Sequence, residues 1–560
     1  MTVRRPLRNQ QRPLVSLYRV NLDGGGNWLP VSVRHEFFTY LAGMGISHLW
    51  LAAPSGSAAT AATGVIPAQY DLDDFSSLAT AAHSRDIGLV IDITPSCTDV
   101  SRPADNAWWW DVLSRGRHSP YAGVVDADFD ADPYHQLRLP YLDNAASTPV
   151  VSSGDRLLLA GSPLEFPLAA GTSHLPVDQM LRHQPYRLVS EKEHPNYRIA
   201  RGSALFAALR QEDPAVFDRT HAQLRALVAD GILDGLCVRG LEDLGDPRGY
   251  LQWLRAAVGS DRLLVVDQME WQPQVLDAEL SVDGANGASI TREIAGVFHR
   301  KSASSATAAE RYVPRSELHL YLADVARYWP RSLSGVPVPP EPGPPNAMPA
   351  QQTTNVAASL LHIMGPGLPV VTAGSELWKK TDSLVTLLAR CRELAVELGA
   401  AESDDPVLER AEYTTDLARF FLFRSALRLR EERPDLFVGG DYEAIAPIGA
   451  AQTHVIAFER AREHSLPELV VAVTRLPESL PQSDGRPDWG DTALPLPEGW
   501  WRDVLTGRRH HRAAAAAQLF ADLPVALLVR GSETPRMPVP LTAREKDYSG
   551  GEDAEAPPAT

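Results

Sequence analysis

The side chains in this protein that could do chemistry sit where short apolar runs stop. Gly88–Ile93 (GLVIDI) carries Asp92 next to its end, and Leu263–Gln268 (LLVVDQ) carries Asp267. Asp234–Arg239 (DGLCVR) ends on Arg239, with Glu242 and Asp243 just beyond. Carboxylates held at strand ends can act as nucleophile or as general acid and base when two of them face one bond. A guanidinium stays protonated and serves instead to pair with carboxylates. Trp108, Trp109 and Trp110 are consecutive and cannot all face one way, so at least one belongs in a core and another could offer a flat platform to a ligand. The basic run Arg508–Arg512 (RRHHR) reads as a solvated loop, with an acidic partner site as the alternative.

The elements that must hold these residues alternate. Strand-like runs at about Leu14–Leu22, Ser47–Ala53 and Gly88–Ile93 are separated by helical patterns near Val31–Gly43 and Leu78–Arg85. Strict two-residue alternation is weak in the runs, as for strands buried on both faces. Helical patterns resume at Ala204–Arg210 and Ala215–Asp230. The runs ending at Arg239 and Gln268 flank a helix near Tyr250–Val258. Further on, a helix is expected near Ser316–Tyr328, a proline-rich loop at Pro337–Pro345, a helix at Thr354–Met364 and a strand at Leu368–Thr372. Two long helices, near Leu384–Leu398 and Thr415–Glu432, precede a β-rich region from Tyr442 to Arg530.

This order predicts an α/β fold, a (β/α)8 barrel that could be incomplete, with an inserted subdomain and a C-terminal β-sandwich. Residues 1–120 form the first part of the barrel, 121–196 the insertion, 197–435 the remainder and 436–531 the β domain, with Trp500 and Trp501 in its core. Residues 532–560, rich in Pro, Asp and Glu, read as a disordered tail.

Composition narrows the partners. The 560 residues carry a formal net charge of −17, which argues against nucleic acid or an anionic membrane. Three cysteines fit a reducing cytoplasm better than a disulfide framework. No signal peptide, spanning segment, metal-ligand cluster or cofactor motif is read.

Several segments then line up, in order, with one family. Leu17-Tyr18-Arg19-Val20, Ala42–Leu51 (AGMGISHLWL) and Asn106–Leu113 (NAWWWDVL) come first. Glu212–Asp218 (EDPAVFD), Asp246–Leu251 (DPRGYL) and Gly374–Trp378 (GSELW) follow, and Trp501–Gly507 (WRDVLTG) closes the series. Together they resemble the maltooligosyltrehalose synthases of the α-amylase superfamily. The resemblance implies a (β/α)8 barrel and a conversion of the reducing end of a maltooligosaccharide into an α,α-1,1 linkage. That chemistry needs two carboxylates about 5 Å apart.

The resemblance also implies where those groups should stand, and most are replaced. The family's DIVPNHM is here Asp92–Thr98 (DITPSCT), so the sugar-binding Asn and His become Ser96 and Cys97. The family's GLRIDH is here Gly235–Gly240 (GLCVRG). Cys237 takes the arginine position, Arg239 the nucleophile position and Gly240 that of the next histidine. Asp267 takes the place of the acid glutamate. Tyr70 and Asp71 remain from a family HGYD turn. The segment that carries the third carboxylate is not found, and the missing length falls largely around 270–350.

Asp92, Asp267, Tyr70, Asp71, Ser96, Cys97, Cys237, Gly240 and Trp109 are therefore the candidate site residues, with Arg239 as an inactive occupant. Arg239 is expected to pair with Asp92 or Asp267 and close the pocket. Glu242 and Asp243 are expected to pair with Arg239 or Arg248, or to supply a displaced nucleophile. Cys97 and Cys237 are read as buried thiols, a regulatory disulfide or a metal site being the alternative. Glu376 is read as structural. The expected role is a non-catalytic subunit or scaffold that partners a trehalohydrolase or an active synthase. An active enzyme with a rearranged site and a glucan-binding module for maltooligosaccharide are the alternatives.

Overall fold

The structure, a computed structural model, describes residues 16–22, 29–54, 58, 64–67, 70, 74–142, 150–266, 282–285, 333–335, 349–365, 368–378, 383–400, 415–438, 440–483 and 486–531. Asp71, Asp267, the expected helix at Ser316–Tyr328, the Pro337–Pro345 loop and the 532–560 tail lie outside these residues.

Eight parallel strands form one curled sheet. They are β1 (Leu17–Asn21), β2 (His48–Ala52), β3 (Gly88–Ile93), β4 (Gly235–Val238), β5 (Leu263–Val266), β6 (Gly284–Ala285), β7 (Leu333–Gly335) and β8 (Leu368–Thr372). The order across the sheet is β6-β5-β4-β3-β2-β1-β8-β7. This is a partial barrel, and among the described residues β6 and β7 are not paired with each other. The strands form because each carries two interleaved apolar sets. Leu17, Trp50, Val90, Cys237, Val265 and Val370 share one cluster. Tyr18, Leu49, Ile91, Leu236, Leu264 and Val371 belong to the other, beneath the helices. Each fully buried large side chain contributes roughly 1.5–3 kcal/mol, so both faces stabilise the sheet.

Helices α1 (Val31–Gly43) and α2 (Phe75–His83) connect the first three strands. An inserted unit follows β3, with its own core of residues such as Trp109, Phe166 and Tyr186. Its helix α3 (Ala107–Arg115) is capped by Asn106, whose side chain accepts from the Trp109 amide at 3.2 Å. The same side chain donates to Thr98 Oγ1 and to the Asp99 carbonyl, both at 2.8 Å, so it ties the helix to the end of β3. The expected helix at Ala204–Arg210 is instead a strand, Ser203–Ala208, paired antiparallel with Cys97–Asp99. Its alanine and leucine content favours a helix, but a partner strand in the insertion outweighs that propensity.

The expected helix at Ala215–Asp230 is two helices, α4 (Pro214–Thr220) and α5 (Ala222–Ala229), meeting at His221. Helix α6 (Pro247–Val258) begins with Asp246 accepting from the Gly249 amide at 2.9 Å and Pro247 at its first position. Helices α7 (Pro349–Met364), α8 (Leu384–Ala400) and α9 (Asp416–Glu432) complete the helical layer.

The C-terminal region is a single six-stranded antiparallel sheet rather than a sandwich. Its strands are β9 (Asp441–Ile445), β10 (Val455–Ala461), β11 (Leu469–Thr474), β12 (Ala493–Asp503), β13 (Arg509–Ala515) and β14 (Val525–Arg530). Their order is β9-β10-β11-β14-β12-β13. One face, including Phe458, Val471 and Leu527, joins the barrel's own core, with α7 against β11. A helix therefore covers the face that a second sheet would cover in a sandwich. Arg430 and Arg460 fasten this junction. Arg430 donates to the Ile363 carbonyl at 2.7 Å and Arg460 to the Met364 carbonyl at 3.0 Å, at the C-terminus of α7. Both guanidiniums lie over Phe437. The helix dipole and the ring face supply the negative potential that these buried cations need.

Glu376, fully buried, plays the structural part expected of it between β8 and the helices. Its Oε1 accepts from the hydroxyls of Tyr18 and Tyr40, both at 2.6 Å. Burial raises its carboxyl pKa, and the two tyrosine hydroxyls pull the other way. An acid whose folded pKa is raised stabilises the fold most below its ordinary value and loses that contribution as pH rises. Glu376→Gln keeps an acceptor for both tyrosines and does not ionise. Relative to the unchanged protein, its urea midpoint is expected to gain more at about pH 8 than at about pH 5. The same offset at both pH values would reject this role for ionisation.

Candidate functional site

The carboxyl ends of β1 to β4 converge on one side chain, Asp92. It is 1% exposed, on the inner face of β3. Its Oδ1 accepts from Trp50 Nε1 at 2.8 Å, and its Oδ2 from the Ala53 amide at 2.9 Å and from Arg239 Nη1 at 3.2 Å. Arg239, one residue beyond β4, also donates Nη1 to the Ala53 carbonyl at 2.9 Å. Its own amide bonds the Ile93 carbonyl, so the backbone holds the guanidinium against the end of β3. Arg19 at β1 completes the row, its guanidinium 4.7 Å from the Trp50 ring centre. Trp50 and Arg19 were not singled out in the sequence. Their signal was their place on the same inward parity as Asp92.

Tyr70 backs the same strand. Its hydroxyl donates to the Leu51 carbonyl at 2.7 Å and accepts from the Asp92 amide at 2.9 Å. Burial, then the nearby Asp92 charge, pushes its pKa well up, so it stays a neutral brace. Gly240 follows Arg239 in a left-handed conformation with φ +71°, and a Cβ there would lie 2.7 Å from Ser96 Oγ. The two strand ends can approach this closely only with glycine at that position.

Of the other expected site residues, Cys237 stands in register with Asp92 and Ser96 lies beside Gly240, whereas Cys97 and Trp109 pack elsewhere. Ser96, Cys97 and Cys237 are all fully buried. Cys97 packs with Ala200 and Ala208 of the insertion, whereas Cys237 lies in the barrel interior. None of the three cysteines is in a disulfide, and burial pushes Cys97 up to about 11. These thiols are apolar filling rather than a redox pair. Trp109 is a correction: it is fully buried in the insertion and meets Tyr197 edge-on, so its ring is no platform for a sugar. Asp243 accepts from the Arg201 amide at 2.9 Å, and Glu242 is exposed. A carboxylate facing Arg239 is Asp92, one of the two partners expected for it. Among the described residues no three His, Cys, Asp or Glu side chains gather to hold a metal ion. No described helix is long and apolar enough to cross a membrane.

The arrangement is poorly suited to glycosyl transfer through Asp92. Three donors already occupy its carboxylate, and it has almost no contact with solvent. At the end of the next strand the Arg239 guanidinium adds positive charge beside it.

No protein-family model matches the chain. The fold is shared with solved maltooligosyltrehalose synthases. The structure of maltooligosyltrehalose synthase from Arthrobacter ramosus superposes with a TM-score of 0.73 at 21% identity, covering 92% of this chain and 100% of that one. A cyclic α-maltosyl-(1→6)-maltose hydrolase from Arthrobacter globiformis superposes with a TM-score of 0.52 at 14% identity, covering 89% and 98%. By sequence, a Mycobacterium tuberculosis protein provisionally named maltooligosyl trehalose synthase is 26% identical over 782 aligned positions, covering 92% of this chain and 99% of the relative. The chain is a distant homologue of these maltooligosyl trehalose synthases over 92% of its length.

Removing one member of the Asp92–Arg239 pair should cost more on the Asp92 side. Asp92→Asn removes the buried carboxylate that Trp50, the Ala53 amide and Arg239 all address, and is expected to lower unfolding free energy by roughly 2–4 kcal/mol. Arg239→Met keeps the donors from Trp50 and Ala53 and is expected to cost less. Urea titrations of both variants test the order, and equal losses would show that the pair is not organised around Asp92.

Proposed function

We propose that this protein is a non-catalytic member of trehalose or α-glucan metabolism, a barrel scaffold that serves an active enzyme of the pathway. The observation that carries this reading is the ion pair between Arg239 and Asp92, 3.2 Å apart, across the strand ends where the family's chemistry is expected. It supports the reading that a cation has replaced the family's nucleophile and that the neighbouring carboxylate is engaged internally. Closure of the partial sheet into a complete (β/α)8 barrel belongs to the same proposal. A trehalohydrolase or an active synthase is the partner that the ancestry suggests. The competing reading is an active transglucosidase that uses Asp267 or Glu242. It draws on Glu242, an exposed carboxylate on the loop just beyond β4.

Incubation with maltopentaose is expected to leave the sugar unchanged, and calorimetry to register no binding. A trehalose-ended product that disappears on Asp267→Ala would overturn the proposal. Saturable binding without turnover would replace the scaffold by a glucan-sensing subunit.

A further inference from the structure

The run Arg508–Arg512 is no loop. It enters β13, the end strand of the C-terminal sheet. The register with β12 sets Trp500 opposite His511, Trp501 opposite His510 and Arg502 opposite Arg509. Opposite residues of an antiparallel pair project from the same face. Trp501 and His510 turn inward, at 1% and 7% exposure. Trp500, which the sequence placed in the core, is 60% exposed, with its ring 4.7 Å from that of His511.

Arg502 and Arg509 share that outer face. Like charges directly opposite one another destabilise a sheet. Among the described residues neither guanidinium has an ion-pair or hydrogen-bond partner, whereas the adjacent Arg508 is held by Asp522 at 2.7 Å. The run also goes against the composition, since the chain has 70 acidic residues and 53 Lys and Arg. Charged side chains on an end strand ordinarily prevent unwanted pairing. An exposed tryptophan beside them works against that purpose. Tryptophan and arginine together are the residues that concentrate binding energy at interfaces.

We propose that this face docks an extended acidic segment of another protein along the free edge of β13. A carboxylate beside Arg509 offsets the repulsion between it and Arg502, a long apolar side chain reaches across His511 toward Trp500, and the backbone edge of β13 that no other described strand pairs with supplies the hydrogen bonds. The site is independent of the catalytic state of the barrel.

The test uses the full chain and a fluorescein-labelled peptide of alternating glutamate and valine, followed by anisotropy. Saturable binding is expected, weakened about tenfold or more by Trp500→Ala and by the double change Arg502→Ser with Arg509→Ser. Arg508→Ser is expected to bind almost as the unchanged chain does. Circular dichroism checks that each variant is folded. Absence of saturable binding overturns the proposal, as does binding indifferent to Trp500→Ala. Maltoheptaose binding that Trp500→Ala abolishes, without peptide binding, would make the face a sugar platform and overturn it equally.

Discussion

A parallel sheet that is apolar on both faces leaves polar side chains one comfortable place, the ends of its strands. There the backbone ladder stops and free amides and carbonyls become available as partners. Asp92 occupies that place and is satisfied by three donors from β2, its following loop and the end of β4. Leaving such a carboxylate unpaired in a buried setting is costly, so the arginine beside it is as much a requirement of the fold as a mark of lost chemistry. Catalytic barrels keep carboxylates at these ends free to meet a substrate. Here the carboxylate is used internally, and the geometry of the mouth follows from that choice.

The same rule governs the other buried charges. Glu376 is met by two tyrosine hydroxyls, and Arg430 and Arg460 by the carbonyls at the end of α7 and by an aromatic face. These contacts join elements far apart in the chain: β1 to the segment after β8, and the barrel helices to the C-terminal sheet. They explain why the scaffold motifs survive where the reactive ones do not. A motif such as Gly374–Trp378 holds helices and strands together whatever the mouth does.

The functional reading thus separates into two regions. At the barrel mouth a buried carboxylate and a guanidinium face each other across the ends of β3 and β4. The outer strand of the C-terminal sheet turns charge and an aromatic ring outward.

Much of the fold was legible in the residues alone. Periodicity located β1 to β5, β8 and most helices, because these depend on neighbours in sequence. The pairing of Arg239 with Asp92 was among the expected ones. Other partners were not legible. Ser203–Ala208 pairs as a strand against its helical composition, and α7 takes the place of a second C-terminal sheet. Trp109 is buried and Trp500 exposed, the reverse of their expected places. Composition and spacing report what a residue can do locally. Which atoms it finally meets is set by packing between segments hundreds of residues apart, and only the tertiary structure decides that.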